Sequence, residues 1–355
     1  MDINRQINVL ITGLGGGGHG MEILKSLKLS DLPYFFVGTD ITKASYGLSL
    51  ADKSYIVPVA SHPSYIDTLI DIIRRNNIQV LFHGSEPELK AISENRDIFK
   101  AEGVLIPINS KTIIDLCMNK FEMIQLLKSK GIKVPATFLI SSIKDINQIA
   151  TYPLVCKPHI GSGGSNNVFL IQDSREFYLL TEYLLNYLNS FIVQEYIGDA
   201  NSEYTVGVLT DFEGNLIDSI AVKRQLNSAL STRIRLPNKT ANLDLGDTLI
   251  ISSGISQGEI GRFKEVTEFC EMISTTVLFS KGPLNLQCRL YKGDVFIFEI
   301  NPRFSGTTHL RALAGFNEPD ILIRRYILQQ SIGTNRICYK KGIILRSLSE
   351  KFLEM

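Results

Sequence analysis

The chain has 355 residues, 44% hydrophobic and 21% charged with a net charge of +1, which suits two or three domains with real cores and argues against disorder or a general attraction to nucleic acid or anionic membranes. Its five cysteines (Cys117, Cys156, Cys270, Cys288 and Cys338) are scattered without CxxC spacing, which argues against a disulfide framework and a zinc site and for a reducing compartment. The amino terminus enters a strand without a basic and apolar leader, and no stretch approaches a membrane span, so the expected location is the cytoplasm.

Residues 7–12, INVLIT, meet GLGGGGHG and then a helical pattern through Met21, Ile23, Leu24 and Leu27. That is strand, glycine loop, helix. A second strand over 34–38 ends at Asp40, and Gly13, Gly15 and Gly18 fit the GxGxxG spacing with an acid roughly two dozen residues on. Alone this reads as a dinucleotide fingerprint, although no pattern for hydride transfer follows it. The alternation continues with a helix over 64–76, a strand over 79–83, a helix over 86–99 and a strand over 104–106. These make a small doubly wound α/β domain ending near Asn109. Within it, His83-Gly84-Ser85-Glu86-Pro87-Glu88 follows the carboxyl end of a strand, where open sheets place ligands. Glu86 and Glu88 equally suit a helix start.

Asn119 and Lys120 lead a helix over 122–130 that Gly131 closes. A cation there opposes the helix dipole, so Lys120 either reaches solvent or is held for an anion. Strands follow over 137–140 and 153–158. Lys157 runs directly into Gly161-Ser162-Gly163-Gly164, where backbone N–H groups could approach a phosphate closely beside a point charge. A glycine-rich turn without ligand is the other reading, and no GKS or GKT follows. The strand over 191–197 ends in Glu195, Tyr196 and Ile197, and Glu203 opens the next. Lys223, Arg224, Arg233, Arg235 and Lys239 then gather, as an anionic substrate would require or as a solvated strand would allow. Gly254, Gly258 and Gly261 read as a loop, followed by a helix over 263–279.

The segment LNLQCRLYKGDVFIFEINPR reads as a β-hairpin turning at Lys292-Gly293-Asp294. Leu284, Leu286, Cys288 and Leu290 share one face of the first arm, and Phe296, Phe298 and Ile300 share one face of the second. A pairing centred on Gly293 sets Gln287 against Glu299 and Asn285 against Asn301, whereas a two-residue turn would mix the faces. The polar face then clusters Gln287, Glu299 and Asn301 ahead of Arg303. These are hard oxygen ligands of the kind Mg²⁺ takes, or else a solvated hairpin face. A helix over 319–330 and a strand over 342–345 close the chain.

Taken in order, Lys120, LVCKPHIGSGG, VQEYI with Glu203, and LNLQ with FEINPR resemble the ATP-grasp superfamily, in particular its carbamoyl-phosphate-synthase-like and carboxylate-amine ligase branches. The first segment resembles the Rossmann-like domain that precedes it there. The resemblance implies an α/β and α+β architecture: a pre-ATP-grasp domain over 1–110, linker helices and lid over 111–200, and a catalytic subdomain over 201–355. It implies ATP and Mg²⁺, as one or two ions with Mn²⁺ as a substitute. Lys120 and Lys157 would meet the phosphates under a cover made by Gly161, Ser162, Gly163 and Gly164. Glu195, Tyr196 and Ile197 would line the adenine pocket, and Glu203 would bind the ribose hydroxyls. Gln287, Glu299 and Asn301 would hold the metal, Arg303 would steady an acyl phosphate, and Arg235 would neutralise the carboxylate substrate.

The leading expectation is an ATP-dependent carboxylate-amine ligase on small molecules, with neither nucleic acid nor membrane as partner and a homodimer as the default assembly. Where the family often has an acid, this chain has Gln287, which lowers the negative charge of the metal site. The alternatives are a bicarbonate-using ligase that forms carboxyphosphate, an NAD-dependent oxidoreductase built on the first glycine loop, and a non-catalytic nucleotide-binding protein.

Overall fold

A computed structural model describes residues 6–15, 18–161, 167–331 and 336–348. Four parallel strands, β1 (Ile7–Ile11), β2 (Tyr34–Asp40), β3 (Lys53–Ile56) and β4 (Val80–Phe82), form the first sheet in the order β3-β2-β1-β4. Val9, Leu10 and Ile11 are wholly buried because helices cover both faces, as an unbroken apolar run requires of a parallel strand. β3 carries the polar sequence KSYI on an edge and has no apolar signal to betray it. The strand expected over 104–106 is a single parallel bridge between Val80 and Leu105. The helix expected over 86–99 breaks at Asn95 into Glu86–Glu94 and Arg96–Ala101.

An antiparallel sheet follows, built from β5 (Thr137–Ile140), β6 (Leu154–Lys157), β7 (Phe169–Ile171) and β8 (Phe191–Glu195) in the order β5-β8-β6-β7. Its helix, Ser174–Leu184, is capped by Asp173 accepting from the Glu176 N–H at 2.8 Å. Phe177 and Leu184 of that helix pack on Leu154, Cys156, Phe191 and Val193, a core separate from the others.

The largest sheet is antiparallel. β9 (Glu203–Thr210) and β10 (Leu216–Arg224) come first, then a ribbon of β11 (Thr232–Pro237) and β12 (Thr248–Ser252) that stands apart. β13 (Gly258–Gly261), β14 (Pro283–Tyr291), β15 (Asp294–Asn301) and β16 (Gly342–Ile344) complete the order β15-β14-β9-β10-β13-β16. Gly258 and Gly261 therefore bound a strand, and Gly254 alone of the three lies in a loop. At Gly258, φ is +139° and a Cβ would strike the Lys223 carbonyl, which is why glycine stands there. The helix expected over 263–279 is α-helical over Lys264–Met272 and continues as a π turn over Ile273–Val277.

Helices Lys111–Met118, Lys120–Ser129 and Lys264–Met272 bury Ile113, Met123, Leu127, Val266 and Cys270 against Val206, Val208 and Leu286 on one face of the large sheet. On the other face, Leu209, Ile220 and Val222 share a core with Ile23, Leu24 and Phe82 of the first domain and with Phe304, Leu310 and Leu322. The first domain is thus welded to the large sheet by continuous apolar packing. Among the described residues no helix is long and apolar enough to cross a membrane.

The hairpin's turn differs from the expected one. Near the tip the pairs are Tyr291 with Asp294 and Arg289 with Phe296, so the turn is the two residues Lys292 and Gly293. Both have positive φ, +52° and +81°, as the tight turn that matches strand twist demands. A bulge between Gln287 and Cys288 on the pairing ladder then shifts the register, and Gln287 meets Glu299 and Asn285 meets Asn301 as expected. The bulge also corrects the apolar face of the second arm. Val295, Ile297 and Ile300 are buried in the core, while Phe296 and Phe298 turn to the cleft.

Candidate functional site

One cleft of about 440 Å³ opens where the carboxyl ends of the parallel strands, the small antiparallel sheet and the large sheet converge. Its floor is the polar face of β14 and β15. Strand alternation sends Asn285, Gln287 and Arg289 to the side opposite Leu284, Leu286 and Cys288. Asn301 Nδ2 donates to Glu299 Oε1 at 3.1 Å, and Arg303 Nη2 donates to Asn301 Oδ1 at 3.1 Å. Beneath them Thr205 Oγ1 donates to Asn285 Oδ1 at 2.9 Å, and the fully buried Arg311, paired with Glu318 at 3.1 Å, donates to the same oxygen.

Two lysines stand over that floor. Lys157 ends β6, is 6% exposed, and its Nζ donates to the Phe298 carbonyl at 3.3 Å while lying 5.5 Å from the centre of that ring. The bulge that turns Phe298 toward the cleft thus supplies the lysine's seat. Burial brings Lys157 from 10.5 down to about 8, with Glu299 and Glu203 pulling up and Lys120 pushing down. Lys120 is the first residue of its helix, behind the cap Asn119, and is 7% exposed. Its backbone N–H donates to the His159 carbonyl at 2.8 Å, tying it to the chain that leaves β6. Its side chain lies away from solvent.

The far wall is the end of β8 and the start of the chain leaving it, Glu195, Tyr196 and Ile197. Tyr196 is fixed from outside the cleft: its OH donates to the Ile250 carbonyl at 3.1 Å and accepts from the Ile250 N–H at 2.9 Å. Glu203, 2% exposed, is gripped by two arginines, Arg224 at 2.9 Å and Arg289 at 3.0 Å. Burial would raise its pKa, but Arg224 and Arg289 hold it below the ordinary value. Arg224 also donates to Ser252 Oγ at 2.8 Å and to the Ser253 carbonyl at 2.6 Å, which fixes the loop that lines the cleft beyond β12.

The near wall comes from the first domain. Ser85 caps helix Glu86–Glu94, and Glu88 beneath it accepts from Ser85 Oγ at 2.8 Å and the Gly84 N–H at 3.2 Å. Glu88 therefore serves the turn. Glu86 faces the cleft and pairs with Arg303 at 2.7 Å. Burial would raise Glu86, but the charge and hydrogen bond of Arg303, with Lys120 behind, keep it below the usual carboxylate value. His19 contacts His83 at 2.9 Å, and burial holds both imidazoles neutral, His83 down to about 3. Three glycines of the first loop sit against neighbours: a Cβ on Gly13 would meet Glu88, one on Gly15 Asp40, and one on Gly18 the Gly84 carbonyl.

Lys120, Lys157, Gly161, Glu195, Tyr196, Ile197, Glu203, Gln287, Glu299, Asn301 and Arg303 all line this one cleft. Ser162, Gly163 and Gly164 lie outside the described residues. Arg235 does not join them. It is exposed on the β11–β12 ribbon, where its Nη2 donates to the Leu226 carbonyl at 3.4 Å, and Arg233 one alternation away is exposed as well. Arg289, Phe298 and the serines after β12 are cleft residues that sequence reasoning missed. Arg289 shared its strand face with Gln287, which was the one available signal.

Three family models match in sequence along the chain: a PylC-like N-terminal domain over residues 9–107, a RimK-like ATP-grasp domain over 117–246, and an ATP-grasp domain of a biosynthetic pathway with Ter operon over 188–348. Over residues 117–348 the chain carries an ATP-grasp domain. Its curated relatives include the carbamoyl phosphate synthase large chain of Clostridium botulinum (strain Eklund 17B / Type B), 21% identical over 324 residues, covering 86% of this chain and 28% of that protein. The chain thus spans under a third of the relative's length. The biotin carboxylase domain of 2-oxoglutarate carboxylase from Hydrogenobacter thermophilus, solved with MgADP, ADP and bicarbonate, superposes with TM-score 0.63 at 15% identity, over 94% of this chain and 72% of that one. The L-amino acid ligase of Bacillus licheniformis does so with TM-score 0.60 at 17% identity, over 90% and 74%. Both likenesses are of fold.

Proposed function

We propose that this ATP-grasp chain is a ligase that spends ATP to join a small-molecule carboxylate to an amine through an acyl phosphate. The observation that carries the reading is the convergence in one cleft of two buried lysines, the oxygen donors of Gln287, Glu299 and Asn301, and Arg303, opposite Glu195, Tyr196 and Ile197. Gln287, Glu299 and Asn301 fit a hard cation, with one carboxylate and two amide oxygens. Among the described residues no three His, Cys, Asp or Glu stand together as a metal site, so phosphate oxygens would complete the shell. When bound, Mg²⁺ neutralises phosphate charge there.

Lys120 and Lys157 bind the phosphates, and Glu195, Tyr196 and Ile197 receive the base. The acid's carboxylate oxygen attacks the γ-phosphorus as the bond to the ADP oxygen breaks. Arg303 holds the acyl phosphate. The amine then attacks the carbonyl carbon, the bond to phosphate breaks, and the amine proton leaves with the departing phosphate. Phosphoryl transfer needs positioning and charge neutralisation more than covalent help, and this cleft offers both. The Arg303–Glu86 pair closes the end of the cleft toward the first domain, where the amine would arrive.

ADP release from Mg-ATP with pooled acids and amines tests the reading. Release stimulated by an acid and amine together, and lost in Glu299→Ala, is expected. Stimulation by bicarbonate alone would replace it with the carboxyphosphate reading, and no stimulation by any pool would remove it.

A further inference from the structure

The two imidazoles on the first-domain wall fix one another's protons. His19 opens helix His19–Leu27, His83 follows β4, and they are 5% and 1% exposed. His83 Nδ1 faces two atoms, His19 Nε2 at 2.9 Å and the Ser85 carbonyl oxygen at 3.3 Å. A carbonyl oxygen only accepts, so His83 Nδ1 carries the proton. His83 Nε2 is buried with no partner among the described residues, and since a buried N–H is rarely left orphaned, it is the bare nitrogen. His19 Nε2 is therefore the acceptor. Burial, with the Arg303 charge and His83 adding to it, keeps the His19 ring neutral, so its single proton sits on Nδ1. Among the described residues that nitrogen has no hydrogen bond, and the ring lines the cleft.

Arg303 is close by. Phe82 and Phe304 pack edge to face with ring centres 5.6 Å apart, which brings His83 and Arg303, each one residue from that contact, to the same end of the cleft. The Arg303 charge bears on both imidazoles. Its Nη1 and Nη2 hold the Phe304 carbonyl, Glu86 and Asn301, but its Nε is buried without an acceptor among the described residues. Two N–H donors with no protein acceptor, His19 Nδ1 and Arg303 Nε, thus stand at this end, as an oxygen anion requires.

We infer that His19 donates from Nδ1 to the acyl oxygen of the carboxylate substrate beside Arg303, with His83 as the positioning residue that fixes its tautomer. This rests on the reading of the cleft as a ligase site. The oxygen is part of the carboxylate before phosphoryl transfer, and it takes up negative charge again when the amine attacks the acyl carbon. A donor already aimed at that position stabilises the charge as it forms. His19 keeps its proton throughout, so it is a donor and not the base for the amine.

The test compares His19→Leu with His19→Asn, whose side-chain N–H stands where Nδ1–H does, in ADP release with the stimulating acid and amine. His19→Leu should lower kcat by about 100-fold with the calorimetric Kd for Mg-ADP unchanged, and His19→Asn should recover at least about tenfold of that loss. A kcat for His19→Leu within about threefold of wild type would overturn the inference, as would His19→Asn as slow as His19→Leu, the result a base would give. Wild-type chain labelled with ¹⁵N-histidine needs no variant: a long-range ¹H–¹⁵N spectrum should show Nδ1–H rings, and their absence would overturn the tautomer and the inference. If wild type turns over with no acid and amine, the ligase reading itself falls and takes this inference with it.

Discussion

Lys157 offers the sharpest prediction because its burial leaves a trace in pH. Its ammonium is held down from 10.5 to about 8 chiefly by desolvation. A shift of that size makes the charged form costlier by about 3 kcal/mol than in water. A phosphate placed against it offsets that cost, so nucleotide binding should draw a proton in. At pH 8 about half of the free protein carries the charge, so uptake of about half a proton per nucleotide is expected. If the ammonium is required, affinity falls about tenfold between pH 7 and pH 9. Lys157→Arg, always charged, should flatten the profile. The sign for stability is the reverse of that for a salt-bridged lysine. Between pH 8 and pH 10.5 the unfolded chain holds this proton and the folded one does not, so this residue's contribution makes stability rise with pH across that window. Lys157→Met should accordingly stabilise the free protein at pH 7 by roughly 1–3 kcal/mol while removing nucleotide binding. The assays are calorimetry in two buffers of different ionisation enthalpy and urea unfolding. A wild-type affinity that is flat from pH 7 to pH 9, with no proton taken up, refutes the reasoning.

Three further outcomes follow from packing and pairing. A Cβ on Gly207 would press into the guanidinium of Arg311, itself wholly buried and paired with Glu318; Gly207→Ala should cost about 3 kcal/mol or more in urea unfolding, and a loss under about 0.5 kcal/mol contradicts this. Glu86→Gln removes the charged partner of Arg303 and should lower turnover by about tenfold while shifting nucleotide affinity less, as kcat and calorimetric Kd together will show. Of the five thiols, Cys117, Cys156, Cys270 and Cys288 are buried and Cys338 is exposed, so a thiol reagent should titrate one group rapidly in the native protein and all five in denaturant. A second fast thiol would contradict the packing described.

Local pattern carried the cleft a long way. The polar face of β14 and β15 was legible from alternation, but both pairs that matter, Gln287 with Glu299 and Asn285 with Asn301, stand as expected only because a bulge offsets a turn one residue shorter than the expected one. The bulge was not legible. Phe296 and Phe298 are as apolar as the core residues Val295 and Ile297, and only the tertiary environment says which pair turns to the cleft. Arg289 and Glu203 lie 86 positions apart, and nothing local announces that β9 and β14 are neighbours. The same limit misdirected Arg235: its alternation with Arg233 was visible, but not that the ribbon carrying both stands off the large sheet. β3 and the helix Ser174–Leu184 were missed for opposite reasons, one too polar and short, the other with exposed Tyr178, Leu179 and Tyr183 that blur its apolar face.

The central claim is that a carboxylate is activated by phosphoryl transfer in this cleft. It is tested most directly with the stimulating acid labelled with ¹⁸O in its carboxylate, incubated with Mg-ATP and the amine. The account predicts that one ¹⁸O appears in the phosphate released, because the acyl C–O bond to phosphate breaks when the amine attacks. Phosphate free of label, with the amide still formed, would contradict it.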